Sequence, residues 1–168
     1  MRGALIGICA GMIFLFSDAQ AADLPRIEVR AVVPCSADQH PLPMKDSQET
    51  LCLSPNVIFG TADIVHAERG SSVDIKHGTV VYSMDDIQHA EHVLYNYLRV
   101  TLNADAKVRF AAATSAAVGR QLGILFNGEL VEAPHIVEPI KSGRVDLYLG
   151  LSGDEVDALV SRLNAAQR

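Results

Sequence analysis

Leu98-Arg99-Val100-Thr101-Leu102 runs directly into Asn103-Ala104-Asp105-Ala106, and this junction opens the stretch, residues 98–164, whose reading decides the fold. The first five residues favour a pleated surface. Asn103 is a helix N-cap, and Asp105 suits the positive end of the helix that follows. Ala106, Phe110, Ala113 and Ala117 then recur at helical spacing and predict one apolar stripe on a helix over 103–118. Gly119 supplies a left-handed closing residue. Leu122-Gly123-Ile124-Leu125-Phe126 is apolar on both faces and predicts an interior strand. Asn127-Gly128 is a two-residue hairpin turn, because both positions tolerate positive φ. Leu130-Val131-Glu132-Ala133 returns antiparallel. Val145 to Leu149 alternates as a further strand. Ser152 with Glu155 forms a capping box for a last helix, whose buried stripe is Val156, Leu159, Val160 and Leu163.

Upstream, Ile27 to Val33 reads as a strand, and Leu51 and Leu53 predict a short one ending before Pro55. Val57-Ile58-Phe59-Gly60-Thr61-Ala62-Asp63-Ile64-Val65-His66-Ala67-Glu68 aligns without gaps onto Val80 to Glu91. Each copy reads as a strand end, a capped turn and a departing strand, with Thr61 and Asp85 as N-caps. Two copies are too few for a solenoid. Gly70 and Gly78 around Val73-Asp74-Ile75 predict a hairpin. Residues 93–102 are strand-rich, while Ile87, Ala90, Leu94 and Tyr97 fit a helix over 85–98; the pattern leaves both open.

The N-terminus reads as an export signal. Arg2 is followed by an uncharged run, Ala4–Phe16, and Ala19-Gln20-Ala21 is a small-x-small cleavage pattern, so cleavage is expected after Ala21. An uncleaved anchor is the alternative, but a helix over Ala4–Phe16 spans only about 20 Å against a membrane core of ~30 Å. No later segment is long and apolar enough to cross a bilayer. The expected organisation is a signal peptide at 1–21, a strand, loop and repeat region at 22–97, and residues 98–168 joined to it in one folded unit. The expected destination is an oxidising compartment outside the cytoplasm. A net charge of −6 argues against nucleic acid as a partner. With no Trp, the core rests on Val, Ile, Leu and Ala. Two cysteines follow Ala21, and an oxidising compartment and even parity predict a Cys35–Cys52 disulfide, contributing about 3 kcal/mol.

The ordered signals of the C-terminal stretch resemble the head part of the first periplasmic domain of SecD and SecDF, accessory membrane subunits of the bacterial protein-export machine. The matching positions are Leu102, Asn103, Ala106, Phe110, Gly119, Asn127, Gly128, Ala133, Pro134, Ile136, Pro139, Ile140 and Gly143. Thr61 to Ala67 also resembles the segment that precedes the head. The resemblance implies an α+β fold, mostly antiparallel sheet with helices packed on one face. It further implies a periplasmic polypeptide-handling or docking module whose partner is an exported polypeptide or a Sec or other envelope protein. In SecD and SecDF a membrane part couples proton motive force to head movement, and that driven cycle is not implied for this chain.

The chemistry-bearing residues are sparse. His89-x-x-His92, with His66 at the repeat-equivalent position, is the only histidine cluster. On a helix His89 and His92 would share a face and could hold a metal; on a strand they could not. Ser115 lies in no nucleophile elbow, and the glycines form no phosphate loop. No enzymatic activity and no cofactor are expected. The alternative to a protein-binding module is a small-ligand or metal-binding periplasmic protein. For protein contact the candidates lie in Ala133–Gly143, where Pro134 and Pro139 interrupt regular pairing. Pro134, Ile136, Val137 and Ile140 are the expected contact residues. The plainer reading is that Ile136, Val137 and Ile140 cap the core.

Overall fold

The computed structural model describes residues 24–38, 40–75 and 92–167. The expected signal peptide, the second repeat copy and His89 lie outside them. In chain order the elements are β1 (Ile27–Val33), β2 (Leu42–Pro43), β3 (Thr50–Gly60), a 3-10 turn (Thr61–Asp63), β4 (Ile64–Ile75), β5 (His92–Leu102), α1 (Ala104–Ala116), β6 (Leu122–Phe126), β7 (Glu129–Glu132), β8 (Arg144–Leu147) and α2 (Gly153–Ala165). The fold is α+β with antiparallel strand pairing, as expected. The strands divide between two sheets, ordered β2-β3-β1-β6-β7 and β4-β5-β8.

β1 is the middle strand of the larger sheet, with Val29 opposite Phe59 on one side and Ile124 on the other. Ile27 and Val29 point into the core, and Glu28 points to the other face. β3 runs through Pro55 instead of stopping before it. The pairing steps from Val32–Leu53 to Arg30–Val57, so Ser54, Pro55 and Asn56 bulge out of the ladder. A proline is tolerated there because no ladder bond needs its missing N–H.

The turn after β3 corrects one expectation. Gly60, not Thr61, holds the cap position, and its N–H donates to the Asp63 carboxylate at 3.0 Å. The Thr61 hydroxyl instead donates to the Pro25 carbonyl and accepts from the Ile27 amide, both at 2.7 Å, and so anchors the start of β1.

From His92 onward the residues that fit either a strand or a helix form a strand. β5 pairs with β4 along its whole length, from Ile75–His92 to Ile64–Leu102. Leu98, Val100 and Leu102 are buried, while Arg99 and Thr101 between them face outward. That period of two is what a sheet requires. The free edge of β4 is closed at Ala67 by the Asn164 amide, which accepts from its N–H at 2.9 Å and donates to its carbonyl at 2.8 Å.

The caps predicted for the two helices are in place. The Asn103 side chain accepts from the Ala106 amide at 2.8 Å, and Ser152 forms its box with Glu155. Gly119 has φ +77°, and Asn127 and Gly128 have φ +52° and +89°. Ala106, Phe110 and Ala117 are buried as expected. The remaining buried position of α1 is Thr114, and Ala113 is only partly covered. α1 packs on β3, and α2 packs on β4 and β5. One apolar cluster joins both sheets and both helices, with the Phe110 ring edge-on to Phe59 at 5.3 Å.

Candidate functional site

After β7 the chain does not loop freely. Pro134 O accepts from the Leu122 amide at 3.2 Å, the Ile136 amide donates to Arg120 O at 2.9 Å, and Gly119 donates to Ile136 O at 2.8 Å. These bonds stitch residues 134–136 to the link between α1 and β6 and turn the Ile136 side chain inward. Ile136 is only 6 % exposed and belongs to the core cluster, in line with the plainer reading that it caps the core, while it also lines the cleft beside it. Its neighbour Val137 is 84 % exposed. Pro134 and Ile140 are half-buried. The Ile140 amide donates to the Thr114 hydroxyl at 3.0 Å, and that hydroxyl donates to the Phe110 carbonyl at 2.9 Å.

This segment forms one wall of a cleft of about 640 Å³ between the two sheets. The floor carries Val29, Phe110, Leu122 and Ile124, and the opposite wall carries Val145 and Leu147 of β8. β8 pairs only with β5, so its other edge is open among the described residues. Leu102 donates to Gly143 O at 2.9 Å, which sets the alternation: Val145 and Leu147 turn their backbone groups to β5, and Arg144, Asp146 and Tyr148 turn theirs outward. Two of the three outward amides are engaged, Arg144 with the Ser142 hydroxyl at 3.1 Å and Tyr148 with the Glu132 carboxylate at 3.4 Å. The outward Asp146 amide and carbonyl are the groups of this edge that an added strand would meet.

The rim beside this edge is charged and braced. Arg99 forms a two-pronged ion pair with Asp146, at 2.7 and 2.8 Å, and sits 5.3 Å from the centre of the Tyr97 ring. The Tyr97 ring fills the space over Gly70 on β4, where a Cβ would come within 2.1 Å of it. Sequence reading did not single out Asp146, Arg99, Glu132 or Thr114. Only Thr114 had a legible signal, since it follows Phe110 by one helical turn.

His66 and His92 are not brought together. His66 is opposite Thr101 and His92 is opposite Ile75, near the two ends of the β4–β5 ladder. At ~3.3 Å per residue that is about 30 Å. Among the described residues no group of three or more His, Cys, Asp or Glu is placed to hold a metal. The Ser115 hydroxyl donates to the Ala111 carbonyl, an ordinary helix contact.

Two carboxyls of the larger sheet are shifted in opposite directions. Burial pushes Glu28 up, but the hydrogen bonds and charges of Arg30 and Arg26 outweigh it and hold the carboxyl below the usual range. Its contribution to stability is therefore complete above the unfolded value of about 4.3 and is lost as pH falls through the folded value. Glu132 is pushed up by burial, which the Tyr148 amide only partly offsets. Its ionised form costs stability once pH rises past about 4.3 toward the folded value. Urea midpoints measured between acid and neutral pH are expected to show this: Glu28→Gln flattens the acid limb, and Glu132→Gln raises the neutral midpoint with no gain in acid. Parallel shifts at every pH would contradict both assignments.

The family model described as "SecDF, P1 head subdomain" matches residues 79–167, just over half of the chain. The chain belongs to the SecDF P1 head subdomain family. Among solved structures it is similar to "Crystal structure of SecDF in Super-membrane-facing form", at 16 % identity and TM-score 0.55, over 83 % of this chain and 18 % of that one. It is also similar to "Structure and function of a membrane component SecDF that enhances protein export", at 16 % identity and TM-score 0.54, over 84 % of this chain and 63 % of that one. Both are likenesses of fold, and the chain spans less than two thirds of either SecDF chain. A search of curated proteins found no match. Among the described residues no helix is long and apolar enough to cross a membrane.

Proposed function

We propose that this SecDF P1 head domain is a non-enzymatic binding module of protein export that takes an extended polypeptide, an exported chain or an envelope partner, into the cleft beside β8. The signal-like residues 1–21 place the module in the periplasm in this reading. The observation that carries the proposal is the pairing of an apolar floor with an open strand edge. An added strand hydrogen-bonds through its backbone while alternate side chains enter the cleft. Such contact tolerates varied sequences, because the main chain supplies the attraction. Val137 and Ile140 overhang the same opening. Binding of this kind needs a surface and no turnover.

Asp146→Pro tests the edge directly. It removes the outward amide and leaves the bonds of Val145 and Leu147 to β5 intact, and proline is accepted at such edge positions. Affinity for an extended apolar peptide, read by fluorescence anisotropy, is expected to fall about tenfold or more, the loss that goes with one main-chain hydrogen bond. Asp146→Asn controls for the lost carboxylate and is expected to bind within a few-fold of the parent. In living cells, photo-crosslinkers at positions 137 and 140 are expected to capture exported chains or envelope proteins, with position 65 on β4 as the control. Equal adducts at all three positions, or none, would reject the site.

A cleft of this volume also lies within the ~300–1,000 Å³ range of small-molecule sites, which supports a small apolar ligand as the second reading. That reading requires saturable binding of an apolar probe that Asp146→Pro leaves unchanged.

A further inference from the structure

The larger sheet has a second apolar layer. Leu125 and Leu130 are buried, yet neither belongs to the cluster shared by the two sheets. Gly123 lies beside them on β6, where a Cβ would come within 2.6 Å of Leu53 and 3.1 Å of Leu130, so side chains from β3 and β7 close over it. The loop between β1 and β3 crosses this face. Leu42 and Pro43 pair with Leu51 and Thr50 of β3. Met44 then bridges to Leu130, and the Lys45 amide donates to the Leu130 carbonyl at 2.8 Å. Apart from β2 itself, β3 and β7 are the opposite edges of this sheet. The loop is therefore a strap from edge to edge that closes the sheet over its second face.

Among the described residues the strap's backbone meets β7 through the Met44–Leu130 bridge and the Lys45–Leu130 bond, and its base is tied by the Cys35–Cys52 disulfide. The two sulfurs differ in setting. Cys35 is exposed, whereas Cys52 is 3 % exposed and lines a cavity of about 170 Å³ together with Arg30 and His40. The exposed Cys35 sulfur is therefore the one an incoming thiolate can reach, and Cys52 is the sulfur that then departs.

We propose that the Cys35–Cys52 bond is a redox-sensitive latch, opened by a dithiol reductant, whose release lifts the strap from β7 and uncovers Leu125, Leu130 and the β7 edge. A thiolate of the reductant attacks the Cys35 sulfur, the Cys35–Cys52 bond breaks, and Cys52 leaves as a thiolate and takes up a proton. The second thiolate of the reductant then displaces Cys35 from the mixed disulfide, and Cys35 is protonated. Two electrons pass from the dithiol, oxidised to its own disulfide, to the cystine. The main core lies on the other face of the sheet, so opening is local.

Hydrogen exchange read by mass spectrometry tests this on the oxidised protein, the protein reduced with dithiothreitol, and the doubly substituted Cys35→Ser/Cys52→Ser chain. The amides of 42–51 and 129–132 are expected to exchange about tenfold faster or more in both unbridged forms, while α1 and β5 keep their protection, as local opening requires. Unchanged exchange in the strap would overturn the latch. So would loss of protection in α1 and β5, which would make the bond a staple of the whole fold. Resistance of the folded protein to dithiothreitol would overturn it as well.

Discussion

Phe110→Ala is expected to lose about 3–5 kcal/mol of stability, the range for truncating a well-packed aromatic core residue. Phe110 is 2 % exposed and meets Phe59 edge-on, so both transfer free energy and an aromatic pair are lost. The cavity cannot close cheaply. One side of the ring faces β3 through Phe59, and α1 is fixed at its N-terminus by Asn103, whose amide also donates to Asp63 O at 2.8 Å. Phe110 is also floor of the cleft, so the variant should bind peptide more weakly even where it remains folded. Urea denaturation gives the first effect and anisotropy the second. A variant that unfolds with its parent would remove Phe110 from the core and with it the assigned face of α1.

That face shows what the sequence made legible. Asn103, Phe110, Gly119, Asn127-Gly128 and Ser152 with Glu155 each act through the chain's own neighbours. A cap needs an amide three residues on, and a tight turn needs two positive φ values. Local chemistry of this kind is written in short spans, and the structure realises it. The division into two sheets is not local. Nothing around β8 states that Val145 and Leu147 pair with Val100 and Leu98 of β5, because strand partners are chosen by burial over long separations. The strand through Pro55 failed for the same reason: the bulge that tolerates the proline is set by β1, more than twenty residues away.

The site was legible only in outline. Residues 133–143 were located from Pro134 and Pro139, which do interrupt regular pairing. Which side chains turn outward was not legible, because the bonds from Gly119 and Arg120 that bury Ile136 join distant segments. Asp146 was read as one polar position of an alternating strand. Its outward amide matters only because β8 lies at an edge, a property of topology and not of composition. The histidine spacing was ambiguous between helix and strand, and strand pairing of β5 with β4 decided against joining His66 to His92.

Thr114→Val is expected to destabilise the fold by about 1–3 kcal/mol, the penalty for leaving a buried hydrogen-bonding group without its partner. Thr114 is 0 % exposed, and valine matches its shape, so no cavity forms and the hydroxyl alone is tested. That hydroxyl works in two directions. It donates back to the Phe110 carbonyl, which already has a helical partner and loses little. It accepts from the Ile140 amide, which loses its only recorded partner among the described residues. The wall of the cleft should therefore loosen while α1 stays intact. Exchange of the Ile140 amide should quicken, and protection of Phe110 and Ala106 should persist. Peptide affinity should fall with it, because Ile140 and Val137 then sample positions outside the opening and must be ordered on binding. An unchanged urea midpoint together with unchanged exchange at Ile140 would show that the wall is held by its apolar contacts alone. Thr114 would then be a passive core residue, and the link from α1 to the cleft would run only through Phe110.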